Sequence, residues 1–129
     1  MEFDGRRRST SLGPYDPRTE VGELLWPERF DAAVMLYSII HVPVAEHRSL
    51  LERVCTWLRP GGLLVLTAGV DEWTGGEDGW FGTEATMWWS QADAASYRRW
   101  LTGSGFVIDD EAIVPDGESA HTLFWAHRR

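Results

Sequence analysis

Two apolar runs, each of strand length, stand on either side of one amphipathic helix, and this arrangement constrains the fold more than any other feature of the chain. Asp31 is followed by Ala32-Ala33-Val34-Met35-Leu36-Tyr37 and then Ser38-Ile39-Ile40, a nearly continuous apolar run without alternation. Such a run reads as a strand buried on both faces. Pro43 suits a position at or just before a helix start, and Leu50, Leu51, Val54 and Leu58 then recur at helical spacing until Arg59-Pro60-Gly61-Gly62 stops the helix. The second run, Leu63-Leu64-Val65-Leu66-Thr67-Ala68, ends at Gly69. Two buried strands joined by an amphipathic helix are best satisfied by parallel pairing, with a right-handed crossover laying the helix stripe on the sheet. The expectation is an α/β fold.

The pattern then breaks. From Gly69 to Trp89, five glycines are interleaved with Trp73, Trp80, Phe81, Met87, Trp88 and Trp89, which reads as an aromatic loop with the character of a lid. Ser90 and Asp93 offer capping oxygens; Ala94, Tyr97 and Leu101 share one helical face; Gly103 and Gly105 end that helix. Phe106-Val107-Ile108 and Ala112-Ile113-Val114 suggest a strand bent at Asp109 to Glu111, Asp116-Gly117 turns the chain, and Thr122 to His127 returns it as an antiparallel pair. Upstream of Phe30, an arginine triplet, a Ser-Thr-Ser run and several prolines show neither the helical nor the strand period. The organisation expected is a loose arm over residues 1–29 and a folded unit over residues 30–129.

Composition narrows the chemistry. A chain of 129 residues with 43% apolar and 25% charged residues is of ordinary globular character and long enough for one core. A net charge of −8 would repel phosphate backbones, so a small organic substrate is expected and nucleic acid is not. No apolar stretch is long enough to cross a bilayer, and Met1 to Arg8 is charged where a secretory signal would be apolar, giving a cytoplasmic expectation and no membrane association. The single cysteine, Cys55, can form neither a disulfide framework nor a thiolate zinc site within one chain. It reads as a core filler.

Four segments taken together resemble a known family: Phe30-Asp31-Ala32-Ala33-Val34; the strand end Tyr37-Ser38-Ile39-Ile40-His41-Val42-Pro43; Leu58-Arg59-Pro60-Gly61-Gly62-Leu63-Leu64; and Gly103-Ser104-Gly105-Phe106. With the order of elements, they resemble the second half of class I S-adenosylmethionine-dependent methyltransferases, from the fourth core strand onward, over about Phe30 to Arg129. The resemblance implies a partial Rossmann-like sheet, S-adenosylmethionine as cofactor and methyl transfer to a small molecule. In that family a glycine-rich turn after the first strand and an acidic residue after the second hold the cofactor. Neither has a counterpart upstream of Phe30, so the resemblance also implies a missing N-terminal half.

The resemblance places Leu36, Tyr37 and Ser38 against the cofactor, since open α/β sheets bind ligands beyond the carboxyl ends of their strands. The plain alternative is that Tyr37 packs and Ser38 satisfies a backbone group. His41, at the same strand end, is the candidate catalytic residue, able to accept or position a substrate proton; otherwise it only hydrogen-bonds where the next helix begins. A metal is not expected, because His41 and Glu46-His47 miss the two-histidine helical spacing and lack a third ligand. Trp73, Trp80, Phe81 and Trp88 are candidates to close over a substrate, although the same residues could simply cover a sheet edge.

An unpaired apolar strand from Ala32 to Ile40 would be an exposed edge, which native sheets avoid. A folded-back arm, a homodimer formed through this edge, or a separate N-terminal half would cover it. A non-catalytic interaction or oligomerisation module is therefore the rival to an enzyme. A dehydrogenase-type nucleotide site would require a G-x-G-x-x-G turn, and the chain contains none.

Overall fold

The computed structural model describes residues 27–77 and 87–129. Its main sheet has four strands in the order β1-β2-β6-β5: β1 is Phe30–Met35, β2 Leu58–Gly69, β5 Phe106–Asp116 and β6 Ser119–Arg128. β1 runs parallel to β2, with Ala32 opposite Leu63 and Met35 opposite Leu66, and helix α1, His47–Trp57, makes the crossover between them. β6 lies antiparallel to both β2 and β5. The arm expected over residues 1–29 falls almost wholly outside the described residues.

The core lies on the helical face of the sheet. Leu64, Leu66 and Ala68 of β2 and Phe124 and Ala126 of β6 join Leu50, Leu51 and Val54 of α1 and Tyr97 and Leu101 of α2, Ala94–Ser104, in one buried cluster that includes Cys55. Each fully buried leucine contributes about 1.5–3 kcal/mol of transfer free energy. The Asp93 carboxylate caps α2 by accepting the Ser96 N–H at 2.9 Å, and hydrogen bonding from the Ser96 side chain, then from its backbone, holds the acid below its usual pKa range. Gly105 closes the helix at a φ of 110°, a left-handed conformation that suits glycine. Arg98 of α2 grips the Glu111 carboxylate of β5 with two guanidinium nitrogens, Nε at 2.9 and 3.0 Å from its two oxygens.

Three expectations are corrected. The Ala32 to Ile40 run is a strand only as far as Met35; Ile39–His41 forms a 3₁₀ turn. Nor is β1 buried on both faces: Val34, on the face away from the helices, is 39% exposed. The helix begins at His47, after a 3₁₀ turn over Val44–Glu46 that follows Pro43, and ends at Trp57, so Leu58 starts the next strand. The Arg59-Pro60-Gly61-Gly62 segment is a bulge inside β2, with Gly61 at a φ of 82°, rather than a loop before it.

The third correction concerns the aromatic loop. Trp73–Glu77 (β3) and Met87–Gln91 (β4) pair antiparallel as a separate hairpin. The glycines permit this because they leave room for rings: a Cβ on Gly75 would lie 2.7 Å from the Trp73 ring, and one on Gly76 would lie 2.9 Å from Trp88 across the ladder. Aromatic side chains laid over glycine backbone cover surface that glycine leaves bare in a strand. The bend expected between Asp109 and Glu111 is present as a register shift between Ile108 and Asp110.

Candidate functional site

The carboxyl ends of β1 and β2, the start of β6 and the β3–β4 hairpin converge at one end of the sheet. Tyr37, two residues past β1, has a φ of 52°, a left-handed conformation that costs a residue with a Cβ about 1–2 kcal/mol. Its N–H donates to the Thr67 hydroxyl of β2 at 2.5 Å, which fixes the bend. The bend sends the Tyr37 ring over β6, where it meets His121 edge-on at 5.0 Å between centroids. Leu36, Tyr37 and Ser38 are all exposed.

His41 lies further along the same segment. Its Nδ1 is 3.3 Å from the Trp88 carbonyl of β4, and its ring tilts against Trp89 at 6.5 Å. As an Nδ1–H donor to that carbonyl it keeps Nε2 as an acceptor. Trp73 packs edge-on against Trp89 at 6.0 Å, while Trp88 is 65% exposed. Of the four aromatic candidates for substrate binding, the structure places Trp73 and Trp88 on the hairpin; Trp80 and Phe81 lie outside the described residues.

A buried polar network pins these pieces to the helices. The Val42 carbonyl, one residue after His41, accepts from His47 Nε2 at 2.6 Å and from the Ser90 hydroxyl at 3.0 Å. His47 is completely buried and stacks on Tyr97 of α2. Sequence reasoning placed His47 only in a rejected metal site; its burial at the first position of α1 shows that it ties the strand end to the fold. Among the described residues there is no group of three metal-ligating side chains.

His121 and Thr67 also reach this end of the sheet, through their contacts with Tyr37, and were not singled out from the sequence. Thr67 sits inside an apolar run and reads as a filler. The alternation of His121, Leu123 and Trp125 along β6 places those three on one face and is the signal that could have been used.

No family model and no curated protein matches the chain. Solved structures do. A methyltransferase dependent on S-adenosylmethionine from Methanosarcina mazei superposes with a TM-score of 0.65 at 18% identity, over 79% of this chain and 60% of its own. The 1,6-didemethyltoxoflavin-N1-methyltransferase of Burkholderia thailandensis, with its substrate and S-adenosylhomocysteine bound, gives 0.66 at 18% identity over 85% and 48%. Magnesium protoporphyrin IX methyltransferase from Synechocystis, with S-adenosylmethionine bound, gives 0.61 at 16% identity over 86% and 44%.

The chain has the fold of the class I S-adenosylmethionine-dependent methyltransferases.

It spans roughly half the length of these structures, from 44% to 60% of each. Leu36, Tyr37 and Ser38 are exposed beyond the end of β1, but the free edge of β1 faces no second strand and no glycine-rich turn among the described residues. By themselves, these residues do not fit the cofactor. No helix among the described residues is long and apolar enough to cross a membrane.

Proposed function

We propose that this chain is the substrate-side half of a small-molecule methyltransferase that uses S-adenosylmethionine and becomes active when a further polypeptide segment completes its sheet at β1. The observation that carries this reading is the outer edge of β1, which pairs with no other described strand, followed by exposed Leu36, Tyr37 and Ser38 beside a hairpin bearing Trp73 and Trp88. A strand added at that edge would bring a second wall to Leu36, Tyr37 and Ser38. The hairpin would cover a flat or apolar acceptor and exclude water. His41, with Nδ1 engaged by Trp88, would position the acceptor through Nε2. The site is expected to work in the cytoplasm, without a metal and without nucleic acid.

The test is calorimetric titration of S-adenosylmethionine into the chain alone and into the chain co-expressed with the polypeptide encoded immediately upstream of it. Saturable binding on co-expression supports the reading. Absence of heat in both would sink it.

A second reading, a non-catalytic interaction or oligomerisation module, is favoured by the apolar face that the sheet turns away from its helices, where Leu63 and Trp125 are 51% and 47% exposed. Light scattering separates the two readings. Self-association through this face and edge supports the module, and a stable monomer that binds the upstream polypeptide supports the enzyme.

A further inference from the structure

His121 is the most anomalous side chain in the structure. On β6, it lies opposite Gly69 of β2 and opposite Val114 of β5, at the end of the sheet where β1 and β2 finish. The residue is only 9% exposed, and its Nδ1 is buried without a hydrogen-bond partner. An unsatisfied buried nitrogen costs on the order of 1–3 kcal/mol and calls for a reason. Asp116 Oδ2 lies 3.6 Å from it, just beyond hydrogen-bond reach, on a carboxylate that is 58% exposed. Tyr37 meets the ring edge-on and is held there by its left-handed backbone and its bond to Thr67. Catalytic hydrogen bonds are often long in an unliganded protein and tighten when substrate binds.

We infer that His121, Asp116 and Tyr37 form a subsite for a small phenolic or similarly protic aromatic acceptor, with His121 as the group that takes its proton. The inference rests on the methyltransferase reading and names its substrate class. When Asp116 closes on Nδ1–H it fixes the imidazole tautomer that leaves Nε2 unprotonated. The acceptor's O–H bond then breaks, its proton passes to Nε2 as an N–H bond forms, and the electron pair stays on the acceptor oxygen. The ring of such a ligand finds a partner in the exposed part of Tyr37, which is 42% accessible. The site lies beyond the carboxyl ends of the parallel strands, where open α/β sheets bind their ligands. Asp116 and His121 also flank the β5–β6 turn at Gly117, whose φ of 64° keeps that turn tight and the two side chains close.

The experiment uses the chain without cofactor, so its outcome is independent of S-adenosylmethionine binding. 4-Nitrophenol is the probe, followed by its phenolate absorbance and by the imidazole ¹⁵N signals of His121. Saturable binding should protonate Nε2 and raise the phenolate fraction above that of free probe at the same pH. Asp116→Asn should weaken binding about tenfold, the equivalent of one lost charge-assisted hydrogen bond. His121→Gln should abolish the absorbance change. Asp116 is exposed enough that its substitution leaves the fold intact, so the test survives if His121→Gln does not fold. Unchanged His121 signals on addition of the probe, or an absorbance change lost with His41→Ala and kept in Asp116→Asn, would overturn the proposal.

Discussion

His47 Nδ1 and the Tyr97 hydroxyl lie 2.8 Å apart, fully buried, and the surrounding bonds determine which of them donates. His47 Nε2 faces the Val42 carbonyl, which can only accept, so the imidazole proton is on Nε2 and Nδ1 accepts the Tyr97 O–H. The Tyr97 oxygen in turn accepts the Ala92 N–H at 3.1 Å. Every polar atom of the pair is satisfied with the histidine neutral. Tyr97→Phe would leave His47 Nδ1 and the Ala92 N–H without partners in the core. It is expected to cost about 1–3 kcal/mol, read as a lower urea midpoint with an unchanged slope.

The same network sets a pH dependence. Burial lowers the His47 pKa from 6.5 because the site disfavours a charged ring, and it raises the Tyr97 pKa to about 12. Below pH 6.5 the unfolded chain binds a proton at His47 that the folded chain still refuses. Stability is therefore complete above that value, falls as the pH drops below it and levels off once the folded-state pKa is passed. Urea midpoints measured through this range should decline in the native chain. His47→Gln should remove the part of the decline that this histidine causes, and an unaltered profile in that variant would contradict the assignment.

Thr67 and Tyr37 make a more local prediction. Thr67 is 3% exposed, and valine has nearly its shape, so Thr67→Val keeps the packing and removes the oxygen that receives the Tyr37 N–H. The left-handed bend at Tyr37 then loses the bond that offsets its strain. A loss of about 1 kcal/mol is expected, accompanied by a change in the ring-current shifts of Tyr37 and His121 as their edge-on contact opens. Stability loss with those shifts intact would mean that the bend is held by other contacts.

What the sequence made legible follows from periodicity. The Leu50, Leu51 and Val54 stripe, the parallel β1–β2 pair and the face shared by Ala94, Tyr97 and Leu101 are all present, because one-sided burial writes a repeat that can be read locally. Local reading failed where a distant group decides the structure. The apolar run past Met35 reads as strand, yet the Thr67 hydroxyl, thirty residues away, captures Tyr37 and turns the chain. The glycines between Trp73 and Trp89 read as a flexible loop, but two of them seat tryptophan rings in a hairpin. The alternation of His121, Leu123 and Trp125 marks one face of β6 in the sequence, but neither the nearness of His121 to Tyr37 nor its orphaned Nδ1 exists until β6 lies beside β2.

The sheet face turned away from the helices links stability to function. Register puts Val34, Leu63 and Trp125 on this face, with exposures of 39%, 51% and 47%. Isolated exposed apolar residues are ordinary, whereas a contiguous apolar patch marks a surface that another element covers. Leu63→Arg should therefore change the stability of the chain alone by no more than about 0.5 kcal/mol, as befits a surface substitution. The same charge, trapped beneath a covering segment, would be buried without a partner and strongly unfavourable. If the proposed completing segment exists, sedimentation of the chain mixed with the polypeptide encoded immediately upstream of it should show their complex lost in Leu63→Arg, with the urea midpoint of the chain alone nearly unchanged. A large fall in that midpoint would show instead that Leu63 already packs within this chain, and full retention of the complex would place the contact at the β1 edge and not on the face beside it.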